Sequence, residues 1–173
     1  NKFWIVVPNK KKEMKENDFI AYNKIDYPII KLNQKIIPWE TIENDNREYF
    51  GMGWTNNPGA SGMWSEGYIS TILFKINELE NKNIFLEMEV EPAIIGDNKI
   101  KFSTLVNDEL INTYDLKDNP KLKKILIRLE NNINNFYKID FKFSNIISPL
   151  EILESPDARK LGLLIKSMKI KKI

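Results

Sequence analysis

Between Ile84 and Glu91 the chain reads Ile-Phe-Leu-Glu-Met-Glu-Val-Glu, apolar at every even position and acidic at 87, 89 and 91. A period of two belongs to a strand with one buried and one wet face, and no helix gathers those apolar side chains on one stripe. The same reading applies to Tyr68–Ile76, Ile100–Val106, Lys123–Glu130 and Tyr137–Phe143, with Leu161–Ile170 as a closing strand. Val106-Asn107-Asp108-Glu109-Leu110-Ile111 sets turn formers between apolar runs and predicts a hairpin. Pro149–Ala158 is the one stretch that reads as a helical turn or compact loop. Many short strands divided by turn signals predict an all-β fold, an antiparallel β-sandwich of jelly-roll type with at most one or two short helices. The alternation assigns Ile84, Leu86, Met88, Val90, Ile100, Phe102, Ile125, Ile127, Leu129, Ile139, Phe141, Phe143, Leu163 and Ile165 to the core, and Glu87, Glu89 and Glu91 to a solvated face.

The first third is less regular. Phe3–Val7 is a short apolar run stopped by Pro8, Lys10–Asp18 reads as a solvated hairpin tip, and extended pieces follow at Phe19–Tyr22, Pro28–Leu32 and Lys35–Ile37. We therefore expect residues 1–48 to be N-terminal strands and a lysine-rich hairpin packed on the sandwich, or the tail of a preceding domain. Residues 49–173 are expected to be the β-sandwich module. A chain of 173 residues is long enough for one substantial core. It opens at Asn1 without a charged and apolar leader pattern, which suggests a piece of a longer protein.

Chemistry is narrowed by what the chain lacks. With no histidine and no cysteine it contains no thiol nucleophile, no Ser-His-Asp triad and no Cys/His zinc, haem or iron–sulfur ligation. A net charge of +2 is too small for the footprint of a dedicated nucleic-acid binder. Carboxylate catalysis needs two acids in a site, and the regular Glu87, Glu89, Glu91 repeat reads instead as a wet strand face. Glu43-Asn44-Asp45-Asn46 offers oxygen atoms at loop spacing but lacks the EF-hand pattern and reads as a solvated loop. No cofactor and no metal ligand set is expected.

The densest unusual stretch is Gly51–Gly67, which holds five of the seven glycines and two of the four tryptophans. Glycines allow a tightly wound loop, and indole rings on loops can stack on the C–H face of a sugar while amides and carboxylates meet its hydroxyls. On this reading Trp54, Asn56, Asn57, Trp64, Glu66 and Tyr68 form a ligand-binding set, with Trp54 the more exposed ring. The alternative is structural: Trp64 caps one end of the sandwich and the glycines merely permit turns. Further on, Asp157 and Arg159 are spaced to clasp the loop before the last strand.

Gly53-Trp54, Gly62-Met63-Trp64-Ser65-Glu66-Gly67, the Val106–Ile111 hairpin and Asp157-Ala158-Arg159-Lys160-Leu161-Gly162-Leu163 together resemble an accessory β-sandwich domain. That domain occurs in the C-terminal parts of bacterial cell-surface glycan enzymes, the glycosyltransferases of capsule and lipopolysaccharide assembly and the phosphoglycerol transferases. The resemblance spans roughly residues 50–170. It implies a non-catalytic, carbohydrate-associated module of a larger envelope-glycan protein. Its expected partners are a surface glycan or oligosaccharide and a catalytic domain of the same polypeptide, on the periplasmic or extracytoplasmic side. The alternatives are a structural or interaction module that docks a catalytic domain, and a carboxylate-based glycan enzyme.

Overall fold

From Met63 onward the chain pairs as though one long hairpin had been wound into a sandwich. The computed structural model describes residues 27–38, 46–55, 61–77, 83–95, 97, 100–116, 121–130, 135–152 and 155–173. Among the described residues two short strands, β1 (Ile29–Ile30) and β2 (Lys35–Ile36), come first. The eight that follow are β3 (Met63–Glu66), β4 (Ile69–Ile76), β5 (Ile84–Pro92), β6 (Lys101–Val106), β7 (Glu109–Asp115), β8 (Lys124–Leu129), β9 (Phe136–Ser144) and β10 (Leu161–Lys172). The antiparallel pairs β6·β7, β5·β8, β4·β9 and β3·β10 nest outward from the central hairpin. One sheet runs β1-β4-β9-β6-β7; in the other, β3 and β2 flank successive parts of the same edge of β10, followed by β5 and β8. This is a jelly roll, as the strand pattern predicts. One pair departs from it: β1 lies parallel to β4, with Ile29 opposite Lys75 and Ile30 opposite Ile76. A pairing between segments this far apart in the chain leaves no local trace in a two-residue strand.

The hairpin at the centre is built as its residues demand. Asn107 and Asp108 have φ of 49° and 72°, the left-handed pair of a two-residue turn that matches strand twist. Asn107 then accepts a hydrogen bond at Oδ1 from the Lys138 N–H (2.8 Å), so the turn is docked onto β9.

All fourteen side chains assigned to the core are buried, the even positions of β5 in one cluster with Tyr137, Ile139, Phe141 and Phe143 of β9. One residue from each of β1 and β2 joins this core too: Ile30 is wholly buried and Ile36 nearly so. Phe3–Val7, Lys10–Asp18, Phe19–Tyr22 and Glu43–Asp45 lie outside the described residues. Of that last loop Asn46 is described, and its Nδ2 donates to the Ile37 carbonyl. Among the described residues helix is confined to a 3-10 turn at Asn46–Tyr49 and to α1 (Pro149–Ile152). Among the described residues no helix is long and apolar enough to cross a membrane, and no acidic cluster could hold a metal ion.

Glu87 corrects the expectation of a uniformly wet glutamate face, for it is only 8% exposed. The strand β5 is interior, so its outer face is covered from both sides: Lys171 (2.7 Å) and Lys169 (3.1 Å) reach Glu87 from β10, and Lys124 (3.4 Å) from β8. Lys171 above all, then Lys169 and Lys124, hold its carboxyl down at about 2 against the burial that would raise it. A depressed acid stabilises the fold fully above its ordinary value of about 4.5, and that contribution fades as pH falls through about 2. Urea midpoints measured from pH 5 to pH 2 are accordingly expected to fall more gently for Glu87→Gln than for the parent chain; parallel curves would show that this carboxylate does not couple to folding.

Candidate functional site

The four connections β3–β4, β5–β6, β7–β8 and β9–β10 all emerge at one end of the sandwich, because Glu66, Pro92, Lys124 and Leu161 end or begin neighbouring strands. Here a cleft of about 620 Å³ opens. Its floor comes from β5 as that strand leaves the sheet, with Glu89, Glu91 and Pro92; Ile94 forms part of the lip at 69% exposure. Lys121, Leu122 and Lys123 close one side, and Pro149, Leu161, Lys166 and Trp64 line the rest.

Register explains how Trp64 comes to line this cleft. Met63 and Ser65 are buried while Trp64 and Glu66 alternate outward, and Trp64 is the Cα partner of Leu164, itself the partner of Glu91. Trp64, Leu164 and Glu91 thus form one row across three strands on the outer face, and paired side chains share a face. Glu91 is bridged to Lys166 at 2.5 Å, and Glu89 accepts a hydrogen bond from the Ser167 hydroxyl at 3.3 Å. A half-buried indole beside hydrogen-bonding carboxylates and ammonium groups in a concavity is an arrangement that can hold a polar ring with an apolar face.

Of the two tryptophans, Trp54 is placed differently from the exposed ring expected of it. Both are half-buried, but Trp54 faces inward: its indole N–H donates to the Thr71 carbonyl at 2.7 Å, and its ring meets Phe50 and Phe141 edge-on at 5.0 and 6.2 Å. Residues 51–55 run as an irregular edge between the sheets, with the Thr55 N–H bonded to the Trp64 carbonyl and the Thr71 N–H to that of Met52. Closing that edge needs a bulky ring, and Trp54 supplies it. Trp64, expected as the cap, packs against the core as well and also lines the cleft.

Several other motif residues serve the fold. The strand β10 is irregular between Leu161 and Leu164, and there Ser65 Oγ accepts from the Leu163 N–H at 2.7 Å. A Cβ at Gly162 would stand 2.7 Å from both Phe143 and Ser65, which explains the Leu-Gly-Leu run. Tyr68 is 55% exposed, with the Lys160 ammonium 5.6 Å above its ring, and lies outside the cleft lining. Glu66 is half-buried and also absent from the lining. Asn56 and Asn57 lie outside the described residues.

Asp157 and Arg159 form a fork: Nε and Nη2 of the guanidinium donate to the two carboxylate oxygens at 2.8 and 2.6 Å, and the Arg159 N–H adds a third bond at 3.0 Å. The guanidinium holds the Asp157 carboxyl at about 2. A lysine here could not reproduce two parallel bonds. The same loop is braced at α1, where Glu151 accepts from the Ser148 N–H at 2.6 Å, the reach-back of a capping box, and where the Leu150 N–H bonds to the Asp157 carbonyl. These contacts fix the segment that presents Pro149 and Leu161 to the cleft.

No protein-family model and no curated protein sequence matches the chain. Among solved structures, the chain is similar to the C-terminal CBM6 module of LamC, a marine laminarinase from Zobellia galactanivorans, at 12% identity and TM-score 0.43, over 80% of this chain and 98% of that one. It is similar to the carbohydrate-binding module CBM36 in complex with calcium and xylotriose at 9% identity and TM-score 0.38, over 79% and 98% of the two chains. A third similarity is to the acetyl xylan esterase Est2A of Butyrivibrio proteoclasticus, at 10% identity and TM-score 0.38, over 81% of this chain and 33% of that one. Likeness at this level transfers no ligand and no site residue.

Proposed function

We propose that the chain is a non-catalytic, glycan-binding β-sandwich module whose ligand sits in the cleft beneath Trp64. The observation that carries this reading is that Trp64, Glu91 and Lys166 line one cleft, Trp64 and Glu91 set in one row across the buried Leu164: a flat aromatic surface with a carboxylate and an ammonium group in the same concavity. A sugar ring needs both, an apolar platform for its C–H face and charged or polar groups for its hydroxyls. The larger setting, a bacterial envelope-glycan protein with a catalytic domain on the same polypeptide and exposure to the extracytoplasmic side, is supported by the motif resemblance of residues 50–170 alone. A second reading is favoured by the exposed Ile94, Leu150 and Ile152, at 69%, 56% and 50%. Apolar side chains beside a cleft also suit docking of a protein domain.

Electrophoresis through gels cast with soluble polysaccharides separates the two. Trp64→Ala is expected to weaken retardation by about tenfold or more while far-UV circular dichroism stays that of the parent, in line with roughly 1–3 kcal/mol for stacking on an aromatic ring. Trp54→Ala is expected to lower stability instead, through the lost edge-on contacts and hydrogen bond. A folded Trp64→Ala protein retarded as strongly as the parent would remove the cleft as the glycan site. A parent retarded by no polysaccharide would favour protein docking.

A further inference from the structure

The cleft and the sheet face that continues from it are cationic. Along β5 the glutamates 87, 89 and 91 point outward at successive alternate positions, about 7 Å apart. Glu91 is already engaged by Lys166 and Glu89 by the Ser167 hydroxyl. Glu87 is shared by Lys124, Lys169 and Lys171, so one negative charge stands against three positive ones. At the lip, Lys121 and Lys123 are exposed, and among the described residues neither has a carboxylate within ion-pair distance. Among the described residues this face, running from the cleft along β10, carries Lys121, Lys123, Lys124, Lys166, Lys169 and Lys171 against Glu87, Glu89 and Glu91. The carboxylates of that face are occupied and its ammonium groups outnumber them, which disfavours a neutral ligand relative to one that brings its own negative charge.

We infer that the cleft takes an acidic glycan, one whose sugars carry uronate carboxylates or phosphodiesters. One sugar stacks on Trp64 while anionic oxygens of the neighbouring residues meet Lys121 and Lys123 at the lip and the lysines of β10 along the sheet. The inference rests on the glycan reading of the same cleft and adds the charge of the ligand to it. Lysine suits the task as a compact, rotatable point charge that needs no fixed acceptor geometry, so carboxylate and phosphodiester share one chemistry here.

The test uses two matched pairs of polymers with the intact chain: polygalacturonate against its methyl ester, and phosphomannan against unphosphorylated mannan. Isothermal titration in 50 mM NaCl is expected to show at least one charged polymer bound about tenfold tighter than its uncharged partner, with the advantage shrinking in 500 mM NaCl as screening sets in. Which pair shows the difference identifies carboxylate or phosphodiester. The double variant Lys121→Ala, Lys123→Ala alters exposed side chains and is expected to keep the parent circular dichroism. It should bind the charged polymer about fivefold more weakly and narrow that polymer's advantage over its uncharged partner, whereas Trp64→Ala should weaken both and leave the ratio between them unchanged. Equal binding of charged and uncharged members would overturn the inference and leave the glycan reading standing. Binding of none of the four would overturn both. Binding to phosphatidylglycerol vesicles but to neither acidic polymer would overturn it in favour of a lipid surface.

Discussion

Phe141→Ala is expected to remove about 3–5 kcal/mol of unfolding free energy, the range for emptying a fully buried phenylalanine site. Phe141 is wholly buried in β9, the strand hydrogen-bonded to both β4 and β6. Its ring meets Phe102 at 6.4 Å and Trp54 at 6.2 Å, so it joins the core to the ring that closes the sandwich edge. Truncation leaves a cavity that those two rings cannot fill without leaving their own contacts, since Phe102 is also stacked on Tyr114 at 4.7 Å and the Trp54 N–H is bonded to Thr71. Urea titration followed by circular dichroism measures the loss, and the tryptophan emission should shift as Trp54 becomes wetter. Lys142→Ala, one residue on and on the opposite face, is expected to change stability by less than about 0.5 kcal/mol. A Phe141→Ala loss under about 1 kcal/mol, or one matched by Lys142→Ala, would mean that β9 presents its other face to the core.

That alternation was legible because it is a property of each strand by itself: a residue's neighbours two places away predict its face. What depends on a strand's place in the sheet was not. Glu87 looks like Glu89 and Glu91 in sequence, yet it is buried because β10 and β8 both bring lysines to it. Trp54 and Trp64 sit in one glycine-rich run, and which of them turns inward is decided by the pairing of 51–55 with β3 and β4. The cleft was the least legible part. Glu89 and Lys166 lie on β5 and β10, while Ile94, the pair Lys121 and Lys123, and Pro149 come from three separate connections that only the jelly-roll winding brings together. The available signals were Ile94, an apolar residue just past a strand end, and the Lys121-Leu122-Lys123-Lys124 run, and neither points to the other. Within the motif stretch, Ser65 and Gly162 turn out to repair an irregular part of β10, which is why the same residues can suggest a site while serving the fold.

Gly53→Ala is expected to be as damaging as the core truncation, for a different reason, and Gly67→Ala shows why. Both glycines have positive φ, 77° and 85°, so each alanine suffers the left-handed penalty of roughly 1–2 kcal/mol. Around Gly67 a Cβ would meet nothing within 4 Å, and the loss should stop there. At Gly53 the added carbon would lie 1.9 Å from the Ile69 carbonyl oxygen and 2.9 Å from Ser70 Cα, all of it backbone that cannot rotate away. Relief requires residues 51–55 to move off β4, and the Gly53 carbonyl is held there by the Glu66 N–H (2.7 Å) and the Ser70 hydroxyl (2.5 Å). The overpacking adds roughly 1–3 kcal/mol or more, for a total of about 3 kcal/mol or above. Because the Glu66 N–H is one of those donors, any shift also drags β3 and with it Trp64. Polysaccharide retention by Gly53→Ala should therefore fall even where the protein remains folded, and retention by Gly67→Ala should not. Equal midpoints for the two variants in urea would show that residues 51–55 do not pack on Ile69, and the route from this loop to the cleft would fall with that contact.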